Sequence, residues 1–316
     1  MVYPWHQPLW QDFLKLCQQQ RLPHGVLLTG VPGLDLTGFA NAAITYLLCH
    51  QKDKTMACGR CQSCRLMATS SHPDHQVIAP EEAGKAIKID QIRSVHEKLA
   101  LTAHISQWKT LLIAPADKMT INAANSLLKL LEEPPKDSFL ILISSQPEQL
   151  PITIRSRCQH WHMASPTPDE SRQWLQQNGY ALSDQQWQLL ARIAAYAPLQ
   201  IKQMLDQNMD EHYAQVVSQY QQIRAGNDNP VHIAANWQQQ DLLGILHGLY
   251  FYQHQQLMAA DNSERLSIEW QLMDCIQATI KLVSSLNNYN KTLLIEDFVV
   301  RIRQLSVHDH RIRHTG

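Results

Sequence analysis

Three strand-length apolar runs, set among stretches of helical periodicity, limit what this chain can fold into. They are Gly25-Val26-Leu27-Leu28-Thr29-Gly30, Lys109 to Ala114, and Phe139 to Ile143. None alternates apolar with polar residues, so each reads as a strand covered on both faces, the habit of a parallel sheet. Residues 9 to 20 carry Leu9, Phe13 and Leu16 at helical spacing, with glutamines facing water. A second helix follows the first strand to about Leu48, and a third runs from about Asn122 to Leu131, stopped by Pro134-Pro135. Strands alternating with helices predict a doubly wound α/β domain over roughly the first half.

The character changes near residue 165. Thr167-Pro168-Asp169-Glu170 has the form of a capping box with proline at the first helical position, and that helix can end at Asn178-Gly179. Ser183 and Gln186 predict a second capped helix, with Trp187, Leu190 and Ile193 on one face. No strand-like run follows. Residues 224–230, Arg-Ala-Gly-Asn-Asp-Asn-Pro, read as a linker. Beyond it Leu266, Trp270, Met273, Ile276, Ile280 and Val283 form a stripe at helical spacing, expected to serve mostly as core. The expected domains are an α/β unit over 1–165, a small helical domain over 166–207 and an all-helical domain over 208–316. No internal repeat is present.

Composition removes several classes of function. With 17% charged and 44% hydrophobic residues, the chain of 316 is an ordinary globular protein, long enough for two or three cores. A net charge of −1 provides no field to draw it onto nucleic acid by itself. The start, Met1-Val2-Tyr3-Pro4-Trp5-His6, lacks the pattern of a signal peptide, and the apolar runs are too short to cross a bilayer. The expectation is a cytosolic, cytoplasmic protein without membrane contact.

The turn after the first strand is where a phosphate-binding loop would lie. A working loop reads G-x-x-x-x-G-K-[ST]: its backbone amides cradle phosphates and its lysine neutralises them. Here the stretch is Gly30-Val31-Pro32-Gly33-Leu34-Asp35-Leu36-Thr37. Asp35 replaces the last glycine and Leu36 the lysine, so a carboxylate repels a triphosphate and no cation offsets it. At the end of the next strand the two positions that should be acidic are Ala114 and Pro115, counted back from Leu131-Glu132-Glu133-Pro134-Pro135; Asp117 lies nearby out of register. Weak or absent nucleotide binding follows. On the loop alone, glycines that merely make a turn explain the pattern equally well.

Four of the seven cysteines are close together, at Cys49, Cys58, Cys61 and Cys64. In a cytosolic chain this reads as metal rather than disulfides, and four thiolates close a tetrahedral structural Zn²⁺ site with no open position. His50, His72 or His75 compete with Cys49 as the fourth ligand. Gly59 suits the tight knuckle turn. Cys17, Cys158 and Cys275 are isolated and expected to be small buried residues.

Asn125-Ser126-Leu127-Leu128-Lys129-Leu130-Leu131-Glu132-Glu133-Pro134-Pro135 resembles the N-A-L-L-K-x-L-E-E-P-P stretch of clamp-loader subunits. Leu150-Pro151-Ile152-Thr153-Ile154-Arg155-Ser156-Arg157-Cys158 resembles their L-P-x-T-I-x-S-R-C motif. The resemblance covers about residues 5 to 210, and the rest matches in helical character and length. It implies a degenerate AAA+-type nucleotide-binding fold with a helical lid and an all-α C-terminal collar domain. Within that family the γ/τ subunits keep G-K-[ST] and an acidic pair, whereas δ′ subunits keep S-R-C after losing a functional nucleotide site; this chain looks like the latter. Such a subunit has no catalysis of its own but belongs to the DNA-directed DNA polymerase III holoenzyme.

The resemblance further implies that Arg157 reaches a neighbour's ATP as an arginine finger and that Arg155 is mostly structural. It places Ser144 and Ser145 at a γ-phosphate sensor position, where without nucleotide they are ordinary strand-end residues. A helix-start arginine is missing from Tyr196-Ala197-Pro198-Leu199-Gln200-Ile201. Its C-x₈-C-x₂-C-x₂-C module favours Cys49 in the zinc set, over residues 49–64. Implied partners are the δ and γ/τ subunits, with the β clamp and primer-template DNA met through the complex. Two other readings stand beside it: an ATP-hydrolysing motor subunit, and a zinc-dependent nucleic-acid-binding module.

Overall fold

The computed structural model describes residues 2–313 apart from 83, 101, 227–229, 259, 261–262 and 285–289. They form two compact units, Met1–Ser171 with Ala197–Gln200, and Arg172–Tyr196 with Ile201–Gly316. The first unit contains α1 (Gln7–Gln18), β1 (Gly25–Thr29), α2 (Leu36–Leu48), α3 (Gln62–Ala68), β2 (His75–Ile78), α4 (Ile89–Ala100), β3 (Lys109–Ile113), α5 (Ile121–Glu132), β4 (Ser138–Ser144), α6 (Ile152–Arg155) and β5 (Gln159–His162).

The five strands make one parallel sheet in the order β2-β3-β4-β1-β5. Every residue of β1, β3 and β4 is buried, as their continuous apolar runs require. The two edge strands carry no such run. His75-Gln76-Val77-Ile78 buries only Ile78, and Gln159-His160-Trp161-His162 buries only Trp161. With a neighbour on one side only, these strands tolerate polar residues, which hides them from a search for apolar runs.

Helices cover both faces. Ile92, Val95 and Leu99 of α4 and Leu127, Leu130 and Leu131 of α5 share a core with Leu27, Leu111, Ile113, Leu140 and Leu142. Elsewhere an aromatic group joins Trp10 and Phe13 of α1, Phe39 and Tyr46 of α2, Phe139 and Trp161, with ring centroids 5.2 to 6.3 Å apart. Edge-to-face pairs of this kind add to plain area burial. Of the isolated cysteines only Cys158 is buried; Cys17 and Cys275 are half-buried, at the margins of their cores.

The remaining helices are α7 (Pro168–Gln177), α8 (Asp184–Ile193), α9 (Pro198–Asp206), α10 (Met209–Ala225), α11 (Pro230–Gln238), α12 (Leu242–Met258), α13 (Ser263–Ser284) and α14 (Lys291–Arg313). Both expected capping boxes form. The Thr167 amide donates to Glu170 at 2.8 Å while the Glu170 amide donates back at 3.3 Å, and Ser183 and Gln186 exchange bonds of 3.2 and 2.9 Å. In the second unit one apolar cluster gathers Leu175, Leu190, Ala191, Ile201, Met204 and Tyr213. Another gathers Tyr220, Trp237, Leu246, Leu249, Leu272, Ile276, Phe298 and Ile302. Residues 227–229 of the expected linker lie outside the described residues; just before them Gly226, at φ 73°, ends α10 in a left-handed cap.

The stripe on α13 is only partly core. Met273 and Ile276 are buried and Ile280 and Val283 pack beside them, whereas Leu266 and Trp270 are 40% and 52% exposed. The first turns of α13 thus present their apolar side outward, which helical spacing alone cannot distinguish from burial. An ion pair also crosses this core: Arg224 meets Glu269 through two bonds of 2.8 and 3.1 Å, with Glu269 only 3% exposed. Gln253 donates to Glu269 and accepts from the Tyr220 hydroxyl at 2.8 Å. Removing one partner strands the other charge in an apolar setting. Glu269→Ala is therefore expected to destabilise the second unit by about 3–5 kcal/mol, read as a lowered urea midpoint.

Candidate functional site

The loop between β1 and α2 is held by its own chain. Asp35 sits at φ 56°, ψ 52° as the N-cap of α2, and its carboxylate accepts the Gly38 N–H at 2.9 Å. A carboxylate thus stands at the helix N-terminus where a phosphate would stand in a working loop. A Cβ on Gly38 would collide with that carboxylate, which accounts for the glycine. Leu36, in the lysine's place, is buried and packs toward Gly30, while Thr37 is exposed.

Other contacts fix the turn. The Leu34 carbonyl accepts the Trp5 indole N–H at 2.9 Å and lies 2.6 Å from His6 Nε2. His6 Nδ1 accepts the Tyr3 amide at 3.3 Å, so the proton belongs on Nε2; burial holds the ring neutral by lowering its pKa. On the other side Gly33, at φ 85°, accepts the Leu199 N–H at 3.3 Å, and any Cβ there would run into the backbone of Gln200. At the end of β3, Ala114 and Pro115 bring no carboxylate. Asp117 is nearly buried and accepts the Ser144 hydroxyl at 2.6 Å, so both residues are spent on each other; Ser145 is exposed.

Arg157 lies at the opposite end of the sheet. It precedes β5, which pairs with β1 from Val26 onward, and its carbonyl is 3.8 Å from where a Gly25 Cβ would be. The loop leaves the far end of β1, a strand of five residues and so about 17 Å long. Arg157 Nη2 is 2.7 Å from Glu132 Oε1, and Nη1 donates to the Thr153 carbonyl at 3.1 Å. Arg155 is half-buried, and its carbonyl lies 3.0 Å from His160 Nε2.

The four cysteines converge from the end of α2, the knuckle and the start of α3. Their sulfurs all lie within 4.8 Å of one another, with Cys49–Cys61 at 3.9 Å and Cys58–Cys64 at 4.0 Å. A tetrahedron with Zn–S bonds near 2.3 Å has S···S edges of about 3.8 Å, whereas a disulfide needs about 2.05 Å. The cluster fits a metal ion. Gly59, at φ 70°, makes the knuckle turn, and the amides of Cys58, Cys61 and Cys64 point at the sulfurs of Cys49, Cys58 and Cys61 at 3.3 to 3.5 Å.

Burial pushes the Cys64 thiol up to about 12 and raises Cys49. Backbone amides lower Cys58, and they bring Cys61 down to about 6 against the opposing effect of burial. The competing histidines are engaged elsewhere. His50 and His72 flank the Ser63 hydroxyl at 3.2 and 3.1 Å, and His75 contacts Thr110 at 2.9 Å.

Several residues here were not visible as functional in the sequence. Glu132 is part of a quoted motif, yet nothing local pairs it with Arg157 across 25 positions. Trp5 and His6 act over 29 and 28 positions. The spacing Asp35-x-x-Gly38 is the one local signal that the aspartate caps a helix. Asparagine can both cap and adopt the left-handed conformation, whereas alanine does neither well. Asp35→Ala is expected to cost about 1–2 kcal/mol in urea unfolding and Asp35→Asn almost nothing.

A family model described as DNA polymerase III, delta subunit, matches residues 5–167. The DNA polymerase III subunit δ′ of Pseudomonas aeruginosa is 33% identical over 317 residues, spanning 96% of this chain and 90% of that protein. The δ′ subunit of Escherichia coli is 36% identical over 173 residues, 55% of this chain and 52% of that protein. Among solved structures, a γ-subunit-related protein of DNA polymerase III from Thermotoga maritima aligns with a TM-score of 0.46 at 15% identity, covering 94% of this chain and 99% of that one. Matched almost end to end by a δ′ relative and through its α/β unit by the family model, the chain belongs to the δ′ family of DNA polymerase III clamp-loader subunits.

Proposed function

We propose that this chain is a non-hydrolysing δ′ subunit, working in a bacterial clamp loader that places the β sliding clamp on primed DNA, and that Arg157 serves an ATP site on a neighbouring subunit. The observation that carries this is the separation of Arg157 from its own loop by the length of β1. An arginine placed there cannot reach a phosphate bound at Gly30–Thr37 of the same chain. Facing a neighbour, its guanidinium would offset charge on the γ-phosphoryl group, an effect worth on the order of 10³ to 10⁵ in rate in well-studied NTPases. The Asp35 carboxylate on the Gly38 amide, Leu36 turned inward and the bare end of β3 support the loss of nucleotide binding.

Partners in this reading are the δ and γ/τ subunits, with the β clamp and primer-template DNA met by the assembled complex in the cytoplasm. No helix among the described residues is long and apolar enough to cross a membrane. A lid over 166–207 and a collar domain over 208–316 belong to the same reading; the two apolar clusters beyond residue 171 are divided nearly in this way, with Tyr213 of the collar segment completing the lid's cluster. Cys49, Cys58, Cys61 and Cys64 would hold a structural Zn²⁺. The ion supplies a cross-link, and four thiolates leave it no open position for catalysis.

Calorimetry of ATP with Mg²⁺ should show no binding up to millimolar nucleotide; micromolar binding would bring the motor-subunit reading forward. In the reconstituted complex, Arg157→Ala should lower ATPase without disturbing assembly, and unchanged turnover with intact assembly would exclude the trans-acting role. Metal analysis of the pure protein should give about one zinc per chain, lost in Cys58→Ser with new protease sensitivity around residues 50–64. Tight DNA binding by the isolated chain would instead favour a nucleic-acid-binding module.

A further inference from the structure

The Arg157 side chain is held chiefly by two acceptors from different elements. Glu132 closes α5, which is anchored by the buried Leu127, Leu130 and Leu131, and Thr153 lies in α6, which packs against α5. Glu132 takes Nη2 at 2.7 Å and the Thr153 carbonyl takes Nη1 at 3.1 Å. A guanidinium is planar, so acceptors on both terminal nitrogens set its plane as well as its position. Nη1 also reaches the Ser156 hydroxyl at a long 3.5 Å, while Nη2 keeps a second hydrogen, so a donor remains for a phosphate oxygen. Helix stability does not account for Glu132, because a carboxylate in the last turn opposes the helix dipole.

We propose that Glu132 is a positioning residue for Arg157, orienting the guanidinium for the neighbour's ATP. This rests on the trans-acting reading of Arg157 given above. An exposed arginine samples many rotamers and loses that freedom on docking; a chain that already holds it in one orientation loses less. The two side chains are 37% and 51% exposed, so the clamp is weak enough to yield to a phosphate. Screening by water and salt grows with distance, so the carboxylate's charge is felt less at the neighbour's site than at the guanidinium it touches. Orientation therefore outweighs partial neutralisation.

The test uses the complex reconstituted with full-length chains, comparing Glu132→Ala, Glu132→Gln, Arg157→Ala and the Glu132→Ala/Arg157→Ala pair. The Arg157-dependent part of the ATPase rate should fall about threefold in Glu132→Ala, the size carried by an exposed ion pair. The loss should lie in kcat, with KM for ATP and assembly unchanged. Glu132→Gln, which keeps an acceptor oxygen, should recover part of the rate. Adding Glu132→Ala to Arg157→Ala should change nothing further. If Arg157→Ala lowers the rate while Glu132→Ala leaves it unchanged or raises it, the positioning role is overturned and the arginine finger stands. If Arg157→Ala itself has no effect, both fall.

Discussion

Burial of all five residues of β1 between β4 and β5 forces polar chemistry to the two ends of the sheet. A strand enclosed on both faces and both edges can offer only its backbone, and that backbone is used by the ladders. One end carries the loop of Gly30 to Thr37; the other carries Arg157 and Glu132. The strand's length keeps the two ends apart. In a chain of this design the arginine at one end does not depend on the residues of the loop at the other.

The loop of Gly30 to Thr37 differs from a working phosphate loop by more than the missing lysine. In a working loop the helix N-terminus and the glycine amides wait for an external anion. Here the chain supplies its own anion in Asp35, caps the Gly38 amide with it, and locks Leu34 and Gly33 with contacts from Trp5, His6 and Leu199. The Gly38 amide, a donor of the kind a phosphate would take, is satisfied by Asp35, and the carbonyls of Leu34 and Gly33 are held by donors from elsewhere in the chain. The same logic applies at the end of β3, where Asp117 and Ser144 bond to each other.

The cysteine cluster continues from the buried end of α2 and is further joined to the sheet by hydrogen bonds. Ser63 bridges His50 and His72; the Asp74 amide donates to His72 Nδ1 at 3.1 Å, and the Asp74 carboxylate accepts the amides of His104, Ile105 and Ser106 at 2.6 to 2.9 Å. Burial works against the Asp74 charge, yet the three amides hold its pKa below the usual carboxylate range. A metal-sized cluster is thus tied to the segment that leads into β3 through Ser63 and through His50, whose Nε2 lies 3.1 Å from the Ile105 carbonyl.

Local pattern in the sequence was enough for the three central strands, the helices around them, both capping boxes, the departures of the loop from G-x-x-x-x-G-K-[ST] and the four-cysteine spacing. Each depends on residues a few positions apart, where periodicity, capping and ligand spacing operate. What the sequence alone left undecided depends on distant contacts. The edge strands His75–Ile78 and Gln159–His162 have no apolar run because only one side of each is paired. The apolar stripe on α13 divides between core and surface according to which helices lie against it. The residues' spacing alone left Cys49, His50, His72 and His75 open, and the convergence of the four sulfurs, with the histidines bonded elsewhere, favours Cys49. The pairing of Arg157 with Glu132, and their separation from the nucleotide loop, follow from strand order and the length of β1, which no stretch of sequence states by itself.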